Sequence, residues 1–222
     1  HFDYAQEVVY DLLSGKVTFA WDGKTETVER RDCFHEGAIL LHVPQNTKVT
    51  ITAETETEVA VARTENGRSF EARLMRPEDC LCANEERGAG QMNECSTRMV
   101  RTFFDRSNCP ETNFFIGEVV HFPGKWSSYP PHQHVEPEMY YYKFLPENGY
   151  GLAEYGDDAY KVKHNDLTGM PANVTHSQAA APGYAEYYLW CIRLQDDKNI
   201  ITTTVKEYEW VTAPDAKYFP DI

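Results

Sequence analysis

No run of about 18 apolar residues occurs anywhere in the chain, so a helix that crosses a membrane is not expected. No apolar stretch with a small-residue cleavage site stands near the start, which places the protein in the cytoplasm as an expectation. Basic residues are few: 21 Lys and Arg against 35 Asp and Glu give a formal net charge of −14. A surface of that sign repels phosphate backbones and anionic lipids, which excludes nucleic acid and membranes as expected partners. It also means that an anionic substrate needs a local patch of positive charge. The six cysteines form no C-x-x-C pair, and Cys80-Leu81-Cys82 has no second pair at zinc-finger spacing. They read as free thiols of a reducing compartment. Asn173-Val174-Thr175 matches a glycosylation acceptor, but without a secretory signal the match is read as chance.

What is present in quantity is β-forming sequence. Hydrophobic residues make up 41% of the 222, with 14 Tyr, 11 Phe and 4 Trp, enough for a substantial core. Short runs rich in β-branched or aromatic residues predict strands at 8–13, 16–21, 38–43, 47–53 and 58–63, with turns at Ser14-Gly15 and Asp22-Gly23. Further strands are predicted at 114–121, 138–144, 150–155, 160–163 and 184–194. The middle, about 76–113, is rich in loop signals and holds one predicted strand at 98–104. Many short strands with regular turns make the fold class all-β, an antiparallel sandwich or barrel. The expected division is an N-terminal barrel at 1–75, a connector at 76–113 and a C-terminal barrel at 114–222.

One internal match supports two copies of a single unit. Val43-Pro44-Gln45-Asn46 resembles Met170-Pro171-Ala172-Asn173, and each follows a short strand and precedes another. At the same offset His176 falls where the first copy has Val49.

His132 and His134 stand two apart, a spacing that puts both side chains on one face of a strand. Glu138 follows, after a bend that Pro137 permits, and His176 supplies a fourth group from a later strand. Three imidazoles and one carboxylate suit a divalent transition metal with positions left for water or substrate. Zinc is expected first, with manganese, iron or nickel as alternatives. His35, His42, His121 and His164 have no such company and read as ordinary core or surface residues.

The surrounding words carry a resemblance. H-x-H, a strand glutamate and a distant histidine after a proline turn are similar to the cupin metal pattern. Trp126-Ser127-Ser128-Tyr129-Pro130-Pro131-His132-Gln133-His134, Tyr140-Tyr141, Gly149-Tyr150-Gly151 and Ala181-Pro182-Gly183-Tyr184 resemble the 5-deoxyglucuronate isomerases, the IolB family. Leu74-Met75-Arg76-Pro77-Glu78-Asp79 and Arg87-Gly88-Ala89-Gly90 also look like family motifs. The resemblance implies a bicupin, two antiparallel barrels of jelly-roll type with the metal in the second, and a short N-terminus that costs the first barrel a strand. It implies conversion of 5-deoxy-D-glucuronate to 5-dehydro-2-deoxy-D-gluconate in myo-inositol catabolism, with a small sugar acid as partner and a homo-oligomer left open. The alternatives are the sister 5-keto-4-deoxyuronate isomerase of pectin degradation, a non-catalytic sugar-binding bicupin, and an iron cupin dioxygenase.

Aldose–ketose isomerisation moves a proton between neighbouring carbons through an enediol. The residues expected to transfer it are Glu118 first, Tyr142 second and Asp158 third. Arg98, Arg101 and Lys143 are the candidates to hold the substrate carboxylate.

Overall fold

The computed structural model describes residues 6–195 and 198–220. Strands dominate, with three short 3-10 segments and no α-helix among the described residues. Among the described residues no helix is long and apolar enough to cross a membrane. Two compact units are present. The first takes in the described residues up to Asn84, with Arg101–Ile116 and Arg193–Asn199; the second takes in Glu85–Val100, Gly117–Ile192 and the residues from Ile200. The stretch 76–113 is thus shared between the units, and it carries strands at Cys82–Arg87 and Arg98–Phe104.

In the first unit Ser14-Gly15 is not the turn that composition suggested. Gln6–Trp21 is one strand of 16 residues. Its first half pairs with Leu40–Val43 and Glu58–Glu65, its second half with Lys24–Arg30 and Val49–Ala53. The change of partners coincides with a register shift between Leu12 and Ser14. Gly15 completes the bend: its φ is +95°, and a Cβ there would lie 2.3 Å from the Glu56 carbonyl oxygen. Asp22-Gly23 does turn the chain, with φ of 45° and 76° and Trp21 paired to Lys24. Positive φ at both central residues matches the right-handed twist of the flanking strands.

The second unit repeats this plan. Glu138–Leu145 and Tyr150–Tyr155 stand for the two halves of Gln6–Trp21, because the first pairs with Leu167–Met170 and Ala185–Arg193 and the second with Asp158–Lys163 and His176–Ala180. The Pro turns correspond in detail. Leu40–Val43 and Leu167–Met170 end at matching residues. Asn46 and Asn173 both adopt left-handed backbone, φ 66° and 61°. The next strands begin at Val49 and His176. Val8 opposite Val43 therefore takes the place of Glu138 opposite Met170. The strand Trp126–Gln133 adds to His176–Ala180, whereas Val49–Ala53 pairs only with Gln6–Trp21 among the described residues. The first unit thus has valine at two of the four candidate ligand positions and no counterpart, among the described residues, of the strand that brings the other two.

Leu12, Val17, Phe19, Trp21, Leu41 and Val43 build an apolar cluster in the first unit's interior. Buried polar groups lie in that unit too, among them Arg30 3.5 Å from Asp11 and a knot around Glu7. The Glu7 carboxylate accepts from His42 Nε2 at 2.6 Å, Asn66 Nδ2 at 2.8 Å, the Asn113 amide at 2.8 Å and the Thr112 hydroxyl. Burial pushes its pKa up, but the His42 contact and the other donors outweigh burial and hold it below the ordinary carboxylate range. Glu7→Ala leaves those donors buried without an acceptor and is expected to cost about 3–5 kcal/mol. The measurement is urea unfolding, with a lower midpoint and an unchanged slope.

Candidate metal centre

The local sequence explains how three histidines meet. His132 lies directly opposite His176 across the antiparallel pair Trp126–Gln133 and His176–Ala180. Between Ser127 and His132 the register breaks, where Ser128 has φ 53° and two prolines follow. Pro130 and Pro131 have no N–H to give a neighbouring strand, so this is where a ladder can be interrupted without loss. His134 stands just past the strand's end and Glu138 opens the next strand, with Pro137 in the bend between. The Asn173 amide, in the left-handed turn, donates to the His134 carbonyl at 2.8 Å and ties the bend to the Pro171 turn.

Ring centroids are 4.4 Å apart for His132 and His176, 5.2 Å for His134 and His176, and 6.3 Å for His132 and His134. One ligand atom from each of the three lies within 4.8 Å of the others. Glu138 Oε2 is 3.1 Å from His134 Nε2 and 3.4 Å from His176 Nε2. Ligand atoms around one ion with bonds of about 2.1 Å are separated by roughly 3–3.5 Å, which the two Glu138 distances match and the looser histidine triangle approaches.

The tautomers fit as well. Nδ1 of His132, His134 and His176 lies 3.3, 2.8 and 3.0 Å from the main-chain carbonyls of Ser128, Glu136 and Val174. A carbonyl can only accept, so each Nδ1 carries the proton; Nε2 of His176 keeps its lone pair, whereas Nε2 of His134 shares a proton with Glu138 Oε2. Nε2 of His176 is buried with no hydrogen-bond partner. Burial, then the neighbouring His132, pushes the His176 pKa down to about 3. Burial and His134 lower His132 too. His134 is shifted the other way, because contact with Glu138 outweighs its burial. Burial raises Glu138, partly offset by His134. A carboxylate beside three imidazoles, two of them held below their ordinary pKa, is a donor set that a divalent cation completes.

Around this cluster the barrel interior is lined by alternate residues. Tyr140 hydrogen-bonds Glu138 and Ser128, and its ring sits 6.3 Å from that of His176. Tyr188 packs edge-on to Tyr140 at 4.7 Å and shares a short hydrogen bond with Ser127. Tyr142, predicted as a proton-transfer group, faces the same interior, where its hydroxyl donates to Gln178 Oε1 at 2.9 Å. Burial holds its pKa well above 10. Gln178 is two residues from His176 on the same strand face, and its Nε2 has no partner.

The other predicted residues fall elsewhere. Glu118 accepts from the Tyr187 hydroxyl at 2.9 Å. Tyr187 and Tyr188 are neighbours in one strand and point to opposite faces, so Glu118 is on the side away from Tyr188 and the histidines. Asp158 is exposed beside the hairpin turn, where it takes a 3.4 Å hydrogen bond from Tyr160. Arg101 belongs to the first unit and donates to the Cys33 carbonyl at 2.8 Å and to Asn84 at 3.0 Å. Lys143 alternates with Tyr142 and so leaves the interior, reaching Asn165 at 3.4 Å. Arg98 is the predicted cation whose charge reaches the site as a minor influence: burial first lowers His132 and raises Tyr188 to about 12, and Arg98 pulls both down. Its Nη1 donates to the carbonyl and hydroxyl of Ser96 at 2.7 and 3.0 Å.

Residues 2–211 match the model of the KduI/IolB family. The 5-deoxy-glucuronate isomerase of Geobacillus kaustophilus strain HTA426 is 30% identical over an alignment of 230 residues, 95% of this chain and 76% of that protein. The chain thus spans about three quarters of that relative. A solved IolB-like protein from Salmonella typhimurium LT2 is similar with a TM-score of 0.86 at 24% identity, covering 95% of this chain and 84% of that one. A cupin 2 conserved barrel domain protein from Leptotrichia buccalis has a TM-score of 0.50 at 14% identity, covering 86% and 74%. These two likenesses concern the fold, the all-β double cupin. Sequence and fold together place the chain in the KduI/IolB family.

Proposed function

We propose that this protein is a metal-dependent aldose–ketose isomerase that converts 5-deoxy-D-glucuronate to 5-dehydro-2-deoxy-D-gluconate, a step of myo-inositol catabolism. The observation that carries the reading is the set of three imidazoles whose Nδ1 atoms face main-chain carbonyls, with one ligand atom of each within 4.8 Å of the others and Nε2 of His134 and His176 beside Glu138. His132, His134, His176 and Glu138 would hold the ion, with zinc the preferred occupant of such a donor set. When bound, the metal supplies Lewis acidity for the carbonyl and positive charge for the enediolate.

The remaining work falls to the chain's own side chains. Tyr140 holds the Glu138 carboxylate by a hydrogen bond and fixes its direction. Tyr142, kept protonated by burial, orients the Gln178 amide so that Nε2 offers donors to a substrate oxygen in the interior. Of the three groups predicted from sequence to transfer the proton, Tyr142 is the one whose hydroxyl faces that interior. Arg98 meets the substrate carboxylate with nitrogens that do not serve Ser96.

The deciding assay offers the pure protein 5-deoxy-glucuronate and 5-keto-4-deoxyuronate, with and without chelator and without oxygen. Turnover of the first, lost with chelator and restored by Zn²⁺, is expected. Preference for the second moves the assignment to the sister enzyme. An oxygen requirement overturns isomerisation.

A further inference from the structure

At some remove from the histidines, the second barrel buries a second ionisable pair that the chemistry above does not use. His121 ends the strand Phe114–His121, and Glu186 lies near the start of Ala185–Arg193. Both are 0% exposed, and His121 Nδ1 is 3.8 Å from Glu186 Oε1. Neither ring nitrogen of His121 and neither carboxyl oxygen of Glu186 has a hydrogen-bond partner. Four unpartnered polar atoms in one spot carry a cost of several kcal/mol that a purely structural core avoids.

The chain makes room for this arrangement. A Cβ on Gly151, in the neighbouring strand, would lie 2.0 Å from Glu186 Oε2. Gly151 is thus small where the carboxyl needs space, although the carboxyl bonds to nothing. Burial pushes the Glu186 pKa up to about 8. Burial, then the charge of Arg98, pushes His121 down to about 3. Near neutral pH the pair is a carboxylic acid beside a neutral imidazole, since an ion pair there would lack the further hydrogen bonds that offset desolvation.

The pair is linked to the metal cluster by a column of rings. His121 meets Tyr188 edge-on at 5.3 Å, Tyr188 meets Tyr140 at 4.7 Å, and Tyr140 meets His176 at 6.3 Å. The charged and titratable groups facing the pair from packed strands are Arg98, Tyr142 and Tyr188.

We propose that His121 and Glu186 are positioning residues of the isomerase, which set the Tyr188 and Tyr140 hydroxyls against the metal centre and do so only while Glu186 is protonated. The inference rests on the metal-centre reading given above. When Glu186 ionises, a negative charge appears behind Tyr188 in a medium that cannot screen it. Its attraction for Arg98 and repulsion of electron-rich groups then disturb the column.

The test uses Glu186→Gln in the full chain, which keeps the shape and removes the titration, with His121→Gln as the second variant. Metal content is measured, infrared difference spectra against wild type are recorded across pH, and kcat and KM are followed over the same range. Wild type is expected to show a protonated-carboxyl band that vanishes near pH 8 and is missing from Glu186→Gln. Its kcat is expected to fall along that same limb. Glu186→Gln, which mimics the protonated acid, is expected to bind metal normally and to lose the limb, so that its kcat above pH 8 exceeds that of wild type while KM is nearly unchanged. His121→Gln is expected to displace the limb. A Glu186→Gln profile that overlays wild type overturns the positioning role alone. Absence of the band at pH 7 overturns it as well, by showing the carboxyl already ionised. Absence of wild-type turnover on either uronate overturns the metal-centre reading on which it rests.

Discussion

His176→Ala is expected to remove most of the bound metal and to lower isomerase turnover by at least about 10³-fold, while the fold survives. Loss of an outer-shell partner of a ligand costs about 10–100-fold in metal affinity, and loss of the ligand itself exceeds that. His176 has no competing duty: Nδ1 meets the Val174 carbonyl, and Nε2 has no partner but the converging cluster. The first unit supplies an internal precedent for tolerance, because Val49 occupies the corresponding strand start. The folding cost is reduced by the environment. A histidine whose pKa burial has pushed to about 3 contributes stability above its unfolded pKa near 6.5 and loses it as pH falls toward 3. The metal-free variant should therefore resist acid better than the metal-free wild type. Metal analysis, turnover and thermal melts at pH 4 and pH 7 check the three parts. Full turnover with full metal content in His176→Ala would remove His176 from the ligand set.

Much of this site was legible because local rules govern it. The H-x-H spacing, the bend at Pro137 and the strand start at His176 are short-range features. The repeat showed through Asn46 and Asn173, since asparagine tolerates the left-handed turn that both Pro loops need. Facing was harder to read. Glu118 and His121 lie in one strand with opposite parity, and only the pairing with Ala185–Arg193 decides which enters the barrel. Sequence favoured the carboxylate and dismissed the histidine, and the geometry reverses that order. Gly15 misled for a related reason: a glycine that bends a strand between two sheets has the same local signature as one that ends it. The Glu186 pairing had no signal, because a charged residue among tyrosines reads as an exposed strand position until its neighbours are known. Arg101 likewise gave no hint that its guanidinium is tied up within the first unit.

Arg98→Met is expected to lower kcat/KM for the uronate by roughly 10²-fold or more, most of it through KM. Removing one partner of a buried charge pair costs about 2–5 kcal/mol in binding, which corresponds to that range. Burial lowers the Arg98 pKa, and Tyr188 offsets only part of this. Among the described residues no carboxylate forms an ion pair with it, and its assigned hydrogen bonds go to Ser96. Glu85 acts on it by charge alone, so a further anion would complete it, in a protein whose net charge of −14 otherwise repels one. A substrate carboxylate would supply it, with geometry that lysine cannot reproduce. Arg98→Lys should therefore recover only part of the loss. An uncharged analogue in which an amide replaces the carboxylate should react alike with wild type and Arg98→Met. Without substrate the variant should melt no lower than wild type, because a desolvated charge has been exchanged for an apolar side chain of similar length. Equal loss toward charged and uncharged substrates would instead place Arg98 on the metal side of the chemistry, acting through His132 and Tyr188.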